Sequence, residues 1–266
     1  MMENDILCIE RKNHVGTLIL NRPDKKNALS QELLIKIHLI LTEWSEDETI
    51  RTVVITGSGN EAFSSGYDVL AIPSNLTPEM AELAKNHNPL ELALASVREY
   101  PYPTIAMLNG YALGAGLNLA LCCDVRVAAE DVHVGMPPAK LGLIYHPEGL
   151  RQFVEVIGFS RTRELFFTAD SYSGMQVKEM GIVDHLVPRS ELSKTAYEMA
   201  EQIAGNAPLS LSGTKRILNS LANGLTLSKD DLKSAEDLIA KGFMSDDLKE
   251  GQRAFIEKRK PVFTGK

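Results

Sequence analysis

The sequence has few cysteines and no long apolar run, and each shortage excludes a class of protein. Its 266 residues include three cysteines, Cys8 and the adjacent pair Cys122 and Cys123, with neither a CxxC nor zinc-ligand spacing. No stretch approaches the roughly 20 consecutive apolar residues that a membrane-spanning helix needs. The acidic N-terminus has no apolar segment typical of a secretory signal, so we expect a cytoplasmic protein without metal or disulfides.

Basic residues are outnumbered by acidic ones. The chain has 28 Lys and Arg against 35 Asp and Glu, a formal net charge of -7 at pH 7. This balance argues against nucleic acid as the main partner, although a local basic patch could still hold a phosphorylated ligand. With 44% hydrophobic and 24% charged residues, the composition is that of an ordinary globular protein.

Short β-rich segments alternate with helical ones up to about residue 190. The runs VGTLILNR, RTVVITGSG, PTIAMLNG and DVRVAAE are typical of buried strands. After the first of these runs, Ser30 can cap a helix whose apolar face comprises Leu33, Leu34, Ile37, Leu41 and Trp44. Strands alternating with helices predict an α/β fold with parallel pairing.

The strand signal ends near residue 190, and four helical segments follow. They are SELSKTAYEMAEQIAGN, APLSLSGTKRILNSLANG, SKDDLKSAEDLIAKGFM and SDDLKEGQRAFIEKRK. We therefore divide the chain into a core, residues 1–190, and a helical region, residues 191–266. Such a region packs either on neighbouring subunits or as a lid over its own core.

A glycine-rich turn joins a strand to a helix in NGYALGAGLNLALCCD, residues 109–124. Gly110, Gly114 and Gly116 let the backbone approach a ligand, and a helix beginning near Ala115 presents unbonded N–H groups. The pattern is neither GxxxxGK[ST] nor GxGxxG, which disfavours a nucleotide phosphate loop, and close helix–strand packing is the alternative explanation. A second turn, GNEAFSSGYDV, could direct another N–H at the same oxygen, which would make an oxyanion hole.

Together these motifs resemble those of the crotonase superfamily, also called the enoyl-CoA hydratase/isomerase family. The similarity runs nearly end to end and includes NRPDKKNALS, AFSSGYD, NGYALGAGLNLALCCDVRVAAED, PPAKLGLIYHPEGLRQFVEVIG and AFIEKRKPVF. The resemblance implies a spiral of ββα units with a C-terminal helical region that supports homotrimers or homohexamers. It also implies a coenzyme A thioester as substrate, with no separate cofactor.

The resemblance assigns roles to individual positions. Tyr67 and Ala115 would supply the two backbone N–H groups that hold the thioester oxygen. Coenzyme A contacts would come from Lys25, Lys26, Ala28, Ser65 and Asp68, and from Phe255 and Lys258 of an adjacent subunit. Two alternatives stay open, since the lysines could be ordinary solvated charges, and family aspartates at positions 68 and 124 usually fix turns.

Two positions depart from the hydratase pattern. Hydratases of the family place glutamates there, one to activate water and one to protonate carbon, whereas this sequence has Asn118 and Pro138. Neither side chain can exchange a proton, so the ordinary hydration mechanism lacks both of its groups.

Tyr145 and His146 are the remaining candidates for proton transfer. His146 falls where dienoyl-CoA isomerases and a dehalogenase carry a working aspartate, and Tyr145 where the methylmalonyl-CoA decarboxylase branch carries a pocket tyrosine. That branch shares the EKRKP-F ending, but its pocket histidine and threonine are replaced by Tyr67 and Pro137. A helix-entry histidine and a packed aromatic are the structural alternatives.

Three functions follow from these residues. The first is decarboxylation of a malonyl-type coenzyme A thioester, in which loss of CO2 makes the carbanion and the two N–H groups hold the enolate oxygen. The second is hydration or isomerisation of an unusual enoyl- or dienoyl-CoA with His146 as the base. The third is an acyl-CoA-binding subunit without chemistry.

Overall fold

Two β-sheets form the framework of the described residues, which are 5–47, 49–68, 76–224 and 229–264 in a computed structural model. The strands are β1 (Leu7–Lys12), β2 (Val15–Leu20), β3 (Thr52–Gly57), β4 (Ala62–Ser64), β5 (Thr104–Leu108), β6 (Tyr111–Leu113), β7 (Val125–Ala129), β8 (His133–Gly135), β9 (Ser171–Ser173) and β10 (His185–Val187). One sheet has the order β1-β2-β3-β5-β7-β10 and the other the order β4-β6-β8-β9.

Helices follow most of these strands. They are α1 (Gln31–Ser45), α2 (Pro78–Asn86), α3 (Pro89–Glu99), α4 (Ala115–Leu121), α5 (Pro138–Leu141), α6 (Pro147–Thr168), α7 (Met175–Glu179), α8 (Leu192–Ala204), α9 (Pro208–Ala222), α10 (Lys229–Met244) and α11 (Asp246–Glu257). α6 is broken at Gly158, whose backbone leaves the helical region. No helix of the described residues is both long and apolar enough to cross a membrane.

The chain winds as a spiral. β2, β3, β5 and β7 pair in parallel, as the sequence predicts, and each of β3, β5 and β7 is followed by a short strand of the second sheet and then a helix. The backbone turn that leads into a helix has the same conformation at two places. Gly114 before α4 and Gly174 before α7 both have φ of 52° and ψ near -122°. The α/β spiral of ββα units is confirmed.

The larger sheet is covered by helices that the sequence predicts. Ser30 caps α1 by accepting from Leu33 N at 3.3 Å, and the predicted apolar face of α1 is buried as far as Trp44. α8 packs on the same sheet, where Ala196 and Ala200 join the cluster that contains Val54. All four helices expected after residue 190 are present, and the first of them belongs to the core.

The chain divides into two compact units, each described by itself. The first unit comprises the described residues up to Val134 together with Tyr172–Leu221, and the second comprises Gly135–Ser171 and the described residues from Ala222 onward. In the second unit α11 packs against α5, where a Cβ at Gly251 would lie 2.6 Å from Leu141 O. The division near residue 190 marks the end of the strands, and its role in oligomerisation stays a prediction.

Gly16 in β2 tests how tightly this core is packed. A Cβ at position 16 would lie 2.3 Å from Cζ3 of the buried Trp44, so Gly16→Ala must displace the indole. We expect the free energy of unfolding to fall by about 1–3 kcal/mol in urea denaturation. Gly213→Ala in α9 is the control, since nothing described lies within 4 Å of its added Cβ. There we expect a gain of up to about 1 kcal/mol, and equal losses in both variants would contradict the packing argument.

Candidate functional site

The ends of β4 and β6 bring two loops side by side in the first unit. The two strands pair in parallel, so both loops leave the sheet at the same edge. A Cβ at Gly66 would lie 2.9 Å from Leu113 O and 3.6 Å from Ala115 N. Gly66 also has φ of 105°, a backbone conformation that favours glycine. The loops approach this closely because position 66 carries no side chain.

Leu29 holds the first loop on either side of Tyr67. Its N–H donates to Gly66 O at 2.8 Å, and its carbonyl accepts from Asp68 N at 3.0 Å, which makes a parallel bridge between Leu29 and Tyr67. In such a bridge the N–H of the central residue points away from the partner strand. Within the described part of the chain, the Tyr67 N–H donates no hydrogen bond.

Ala115 supplies a second unbonded amide in the neighbouring loop. It is the first residue of α4, and N–H groups in the first turn of a helix have no partner within the helix. Among the residues that the structure describes, the Ala115 N–H donates no hydrogen bond. Two backbone donors from separate loops are therefore available at one edge of the small sheet.

Two of the three turn glycines serve packing. A Cβ at Gly110 would lie 2.1 Å from Glu61 O, and one at Gly116 would lie 2.6 Å from Ser64 O. Gly114 instead provides the positive φ that turns the chain from β6 into α4. Close helix–strand packing thus accounts for Gly116, whereas Gly110 packs against the residue before β4, and the close approach between loops occurs at Gly66.

Lys25, Lys26 and Ser65, three of the residues expected to contact coenzyme A, lie in or next to the first loop. Ser65 N donates to Lys26 O at 2.9 Å, and Ser65 Oγ donates to Lys25 O at 3.2 Å. The Lys26 ammonium lies 2.5 Å from the Glu61 carboxylate, a contact that raises the pKa of Lys26. The same ammonium lies 5.5 Å from the Tyr111 ring centre. The two lysines and the Tyr67 loop thus form one connected surface.

Asp68 has a structural partner. Its carboxylate accepts from Arg22 Nη2 at 2.8 Å, and Arg22 Nη1 also donates to Ala28 O at 2.5 Å. Arg22 has no role in the sequence analysis, because its partners lie at separate places along the chain. Asp124 likewise fixes structure, since its carboxylate accepts from Thr104 N at 2.7 Å and from Lys215 Nζ at 2.6 Å.

Asn118 and Pro138, which the family resemblance matches to the hydratase glutamates, carry no carboxylate. Asn118 lies in α4, one turn after Ala115, and is completely buried with its Nδ2 3.9 Å from Cys122 Sγ. Pro138, in the second unit, is the buried first residue of α5. Cys123 lies two residues beyond the end of α4. Burial raises the pKa of its thiol to about 12, so this cysteine carries no thiolate at neutral pH.

Tyr145 and His146 lie in the second unit, where both take the structural roles that the sequence left open. The Tyr145 ring packs edge-on against Phe166 at 5.4 Å and against Phe153 at 6.3 Å between ring centres. His146 is the N-cap of α6, with Nδ1 accepting from Glu148 N at 3.4 Å. Their part in proton transfer stays a prediction.

Phe255 and Lys258 also belong to the second unit. Phe255 is exposed in the last turn of α11, and Lys258 ends that helix in the left-handed conformation with φ of 53°. Their contact with coenzyme A in an adjacent subunit stays a prediction.

Comparison with known proteins identifies the family to which the chain belongs. The sequence profile described as enoyl-CoA hydratase/isomerase matches residues 10–266. The putative enoyl-CoA hydratase/isomerase YngF of Bacillus subtilis is 32% identical over 99% of this chain and 100% of its own length. The enoyl-CoA isomerase/hydratase fer4 of Mycosarcoma maydis is 36% identical, with 94% of this chain and 92% of that protein covered.

Among solved structures, a methylmalonyl-CoA decarboxylase complexed with 2S-carboxypropyl CoA has a TM-score of 0.89 at 28% identity, with both chains fully covered. The chain therefore belongs to the enoyl-CoA hydratase/isomerase family and is an acyl-CoA enzyme with the crotonase fold.

The spacing of the two loops can be tested at Gly66. Gly66→Ala adds a Cβ against Leu113 O at a positive φ, so it should separate the loops. We expect acetyl-CoA binding, measured by calorimetry, to weaken about tenfold, which corresponds to about 1.4 kcal/mol. Gly59→Ala is the control, because φ there is 73° but the nearest atom, Pro23 Cβ, lies 3.8 Å away. Equal weakening in both variants would show that backbone strain, and not loop spacing, is responsible.

Proposed function

We propose that the protein decarboxylates a malonyl-type coenzyme A thioester and holds the resulting enolate oxygen with the N–H groups of Tyr67 and Ala115. The observation that carries this proposal is a pair of backbone N–H groups, on adjacent loops, that donate no hydrogen bond within the described residues. It is combined with the lack of an acid at Asn118, in the same helix as Ala115. An anion-binding site without a strong base suits a reaction in which the substrate generates its own carbanion.

The chemistry needs little from side chains. The bond between the α-carbon and the carboxylate breaks, CO2 leaves, and its bonding electrons form the enolate of the thioester. Two preorganised N–H donors stabilise the negative oxygen, each by a few kcal/mol. A proton then adds to the α-carbon and completes the product acyl-CoA. The bonds from Leu29 to Gly66 and Asp68 keep the Tyr67 donor oriented before the substrate arrives.

We assign the proton donor to Tyr145 and His146 on their places in the family pattern. His146 caps α6 through Nδ1, which accepts from Glu148 N at 3.4 Å. An imidazole or a phenol hydroxyl is the kind of group that can deliver a proton to a carbanion.

The coenzyme A portion is proposed to lie along Lys25, Lys26, Ala28 and Ser65. Basic residues beside phosphate groups make chemical sense, and the ammonium of Lys26 is already drawn toward Glu61 at this surface. Phe255 and Lys258 are proposed to complete the site from an adjacent subunit of a homotrimer or homohexamer, as the resemblance implies.

The second candidate is hydration or isomerisation of an unusual enoyl-CoA. The names of the curated relatives from Bacillus subtilis and Mycosarcoma maydis favour it. It requires His146 to act as a base. An acyl-CoA-binding subunit without chemistry is the third candidate, and binding without turnover on any thioester would identify it.

Ala115→Pro removes one donor with little change to the helix. Proline is well tolerated at the first helical position, and its ring replaces the N–H. We expect release of labelled CO2 from malonyl-CoA or methylmalonyl-CoA to fall about 10²–10³-fold in kcat.

Ala115→Ser is the matched control for this variant, because it changes the side chain and keeps the amide. It should retain near wild-type release of CO2. If the wild-type protein releases no CO2 above background from either thioester, the decarboxylase assignment is wrong.

Replacement of His146 separates the two reactions. His146→Asn keeps a side-chain cap for α6 and removes the imidazole. If His146 is the base, isomerase or hydratase turnover falls about 10²–10⁴-fold, whereas a decarboxylase loses only part of its activity. Steady-state rates on enoyl- and malonyl-type thioesters distinguish these results, and full activity on both would remove His146 from the mechanism.

A further inference from the structure

We propose that Arg22 is a positioning residue that fixes the Tyr67 amide of the oxyanion hole, an inference that rests on the proposed function. Arg22 follows β2 and, within the part of the chain that the structure describes, makes no hydrogen bond to Tyr67 or Ala115. It acts through Asp68 and Ala28, the residues next to the two partners of the Leu29–Tyr67 bridge.

The guanidinium closes a ring of hydrogen bonds around the bridge. One nitrogen donates to Ala28 O at 2.5 Å, directly before Leu29, and the other donates to Asp68 Oδ2 at 2.8 Å, directly after Tyr67. Leu29 makes the two backbone bonds that flank Tyr67. The position of residue 68 is therefore fixed both by its amide and by its carboxylate.

Asn27 anchors the other end of Arg22. The Arg22 N–H donates to Asn27 Oδ1 at 3.0 Å, and the completely buried Asn27 donates through Nδ2 to Ala62 O at 2.8 Å in β4. The segment that carries Arg22 is thus attached to the start of the same strand that leads to Tyr67. Movement of the Tyr67 loop relative to β4 would break the hydrogen bonds of the Arg22 guanidinium and those of the Asn27 side chain.

Low exposure and opposite charge strengthen the ion pair between Arg22 and Asp68. The side chains of Arg22 and Asp68 are only 17% and 14% exposed, so water competes weakly for their hydrogen bonds. A planar guanidinium can bind a carbonyl and a carboxylate together, whereas a lysine ammonium is a point charge that does not match both acceptors. Arg22→Lys should therefore restore only part of the function.

The carbonyl stretch of bound acetyl-CoA, isotopically labelled at that carbonyl, measures the donors directly. Wild-type protein should lower the stretching frequency relative to free thioester, because N–H donors polarise the bond. Arg22→Met should lose at least half of this shift, and Arg22→Lys should lose less. Asp68→Leu, which is close to aspartate in size and has no acceptor for Arg22, should resemble Arg22→Met. On the malonyl-type thioester, kcat of Arg22→Met should fall about 10²-fold, as expected for a misplaced donor. KM should change by less than about threefold.

Arg189→Met is the matched control. Its guanidinium also binds a carboxylate, Asp131 at 2.8 Å, and two carbonyls, Asn60 O at 3.2 Å and Asn109 O at 2.8 Å, in the same unit. It makes no recorded bond to residues 66–68, so its loss should lower thermal stability and leave the carbonyl shift unchanged. Equal loss of the shift in the Arg22 and Arg189 variants would overturn a specific role for Arg22.

Two further results separate this inference from the function it rests on. A full wild-type shift retained in folded Arg22→Met overturns the positioning role and leaves the oxyanion hole intact. Wild-type protein that binds acetyl-CoA without any shift overturns the oxyanion hole itself, and the positioning role with it. If Arg22→Met does not fold, Asp68→Leu, which removes the acceptor at nearly the same side-chain size, decides the question by the same measurement.

Discussion

The close approach of the Gly66 loop to the Leu113–Ala115 loop is the contact on which the whole site depends. Parallel pairing of β4 with β6 brings both loops to one edge of the small sheet, and the absence of a side chain at Gly66 lets them touch. Hydrogen bonds from Leu29 on one side and the start of α4 on the other leave two donors unused. The larger sheet, with α1 and α8 packed on it, gives these short strands a rigid base.

Much of this fold could be predicted because the central strands of its larger sheet are buried on both faces. Continuous apolar runs identified β2, β3, β5 and β7, and the regular spacing in α1 identified its buried face. The strands of the second sheet contain three residues each, too few to show any periodicity. The repeated turn at Gly114 and Gly174 could not be predicted either. The two segments have the same backbone conformation, but their sequences have only one glycine in common.

The candidate site was less accessible to sequence reasoning, for two physical reasons. The donors proposed for Tyr67 and Ala115 are peptide N–H groups, which every residue except proline possesses, so resemblance to a family and not residue chemistry pointed to them. Arg22 has partners 6 and 46 positions away, a separation that no local pattern records. Side chains with recognisable chemistry, such as Tyr145 and His146, were easy to select, yet in their own unit they pack and cap as ordinary residues do.

Donors built from the main chain also decide how this scaffold tolerates change. Substitution at position 67 or 115 by any residue except proline leaves the peptide N–H in place. The exposed Tyr67 can therefore change in size and polarity, and the buried Ala115 can be replaced by other small residues, without loss of the two candidate donors. A scan of single substitutions would therefore show little effect at the residues whose N–H groups are the proposed donors. It would detect instead the glycine that makes room for them and the half-buried ion pair of Arg22 and Asp68, so the sensitive positions would surround a centre that tolerates most replacements.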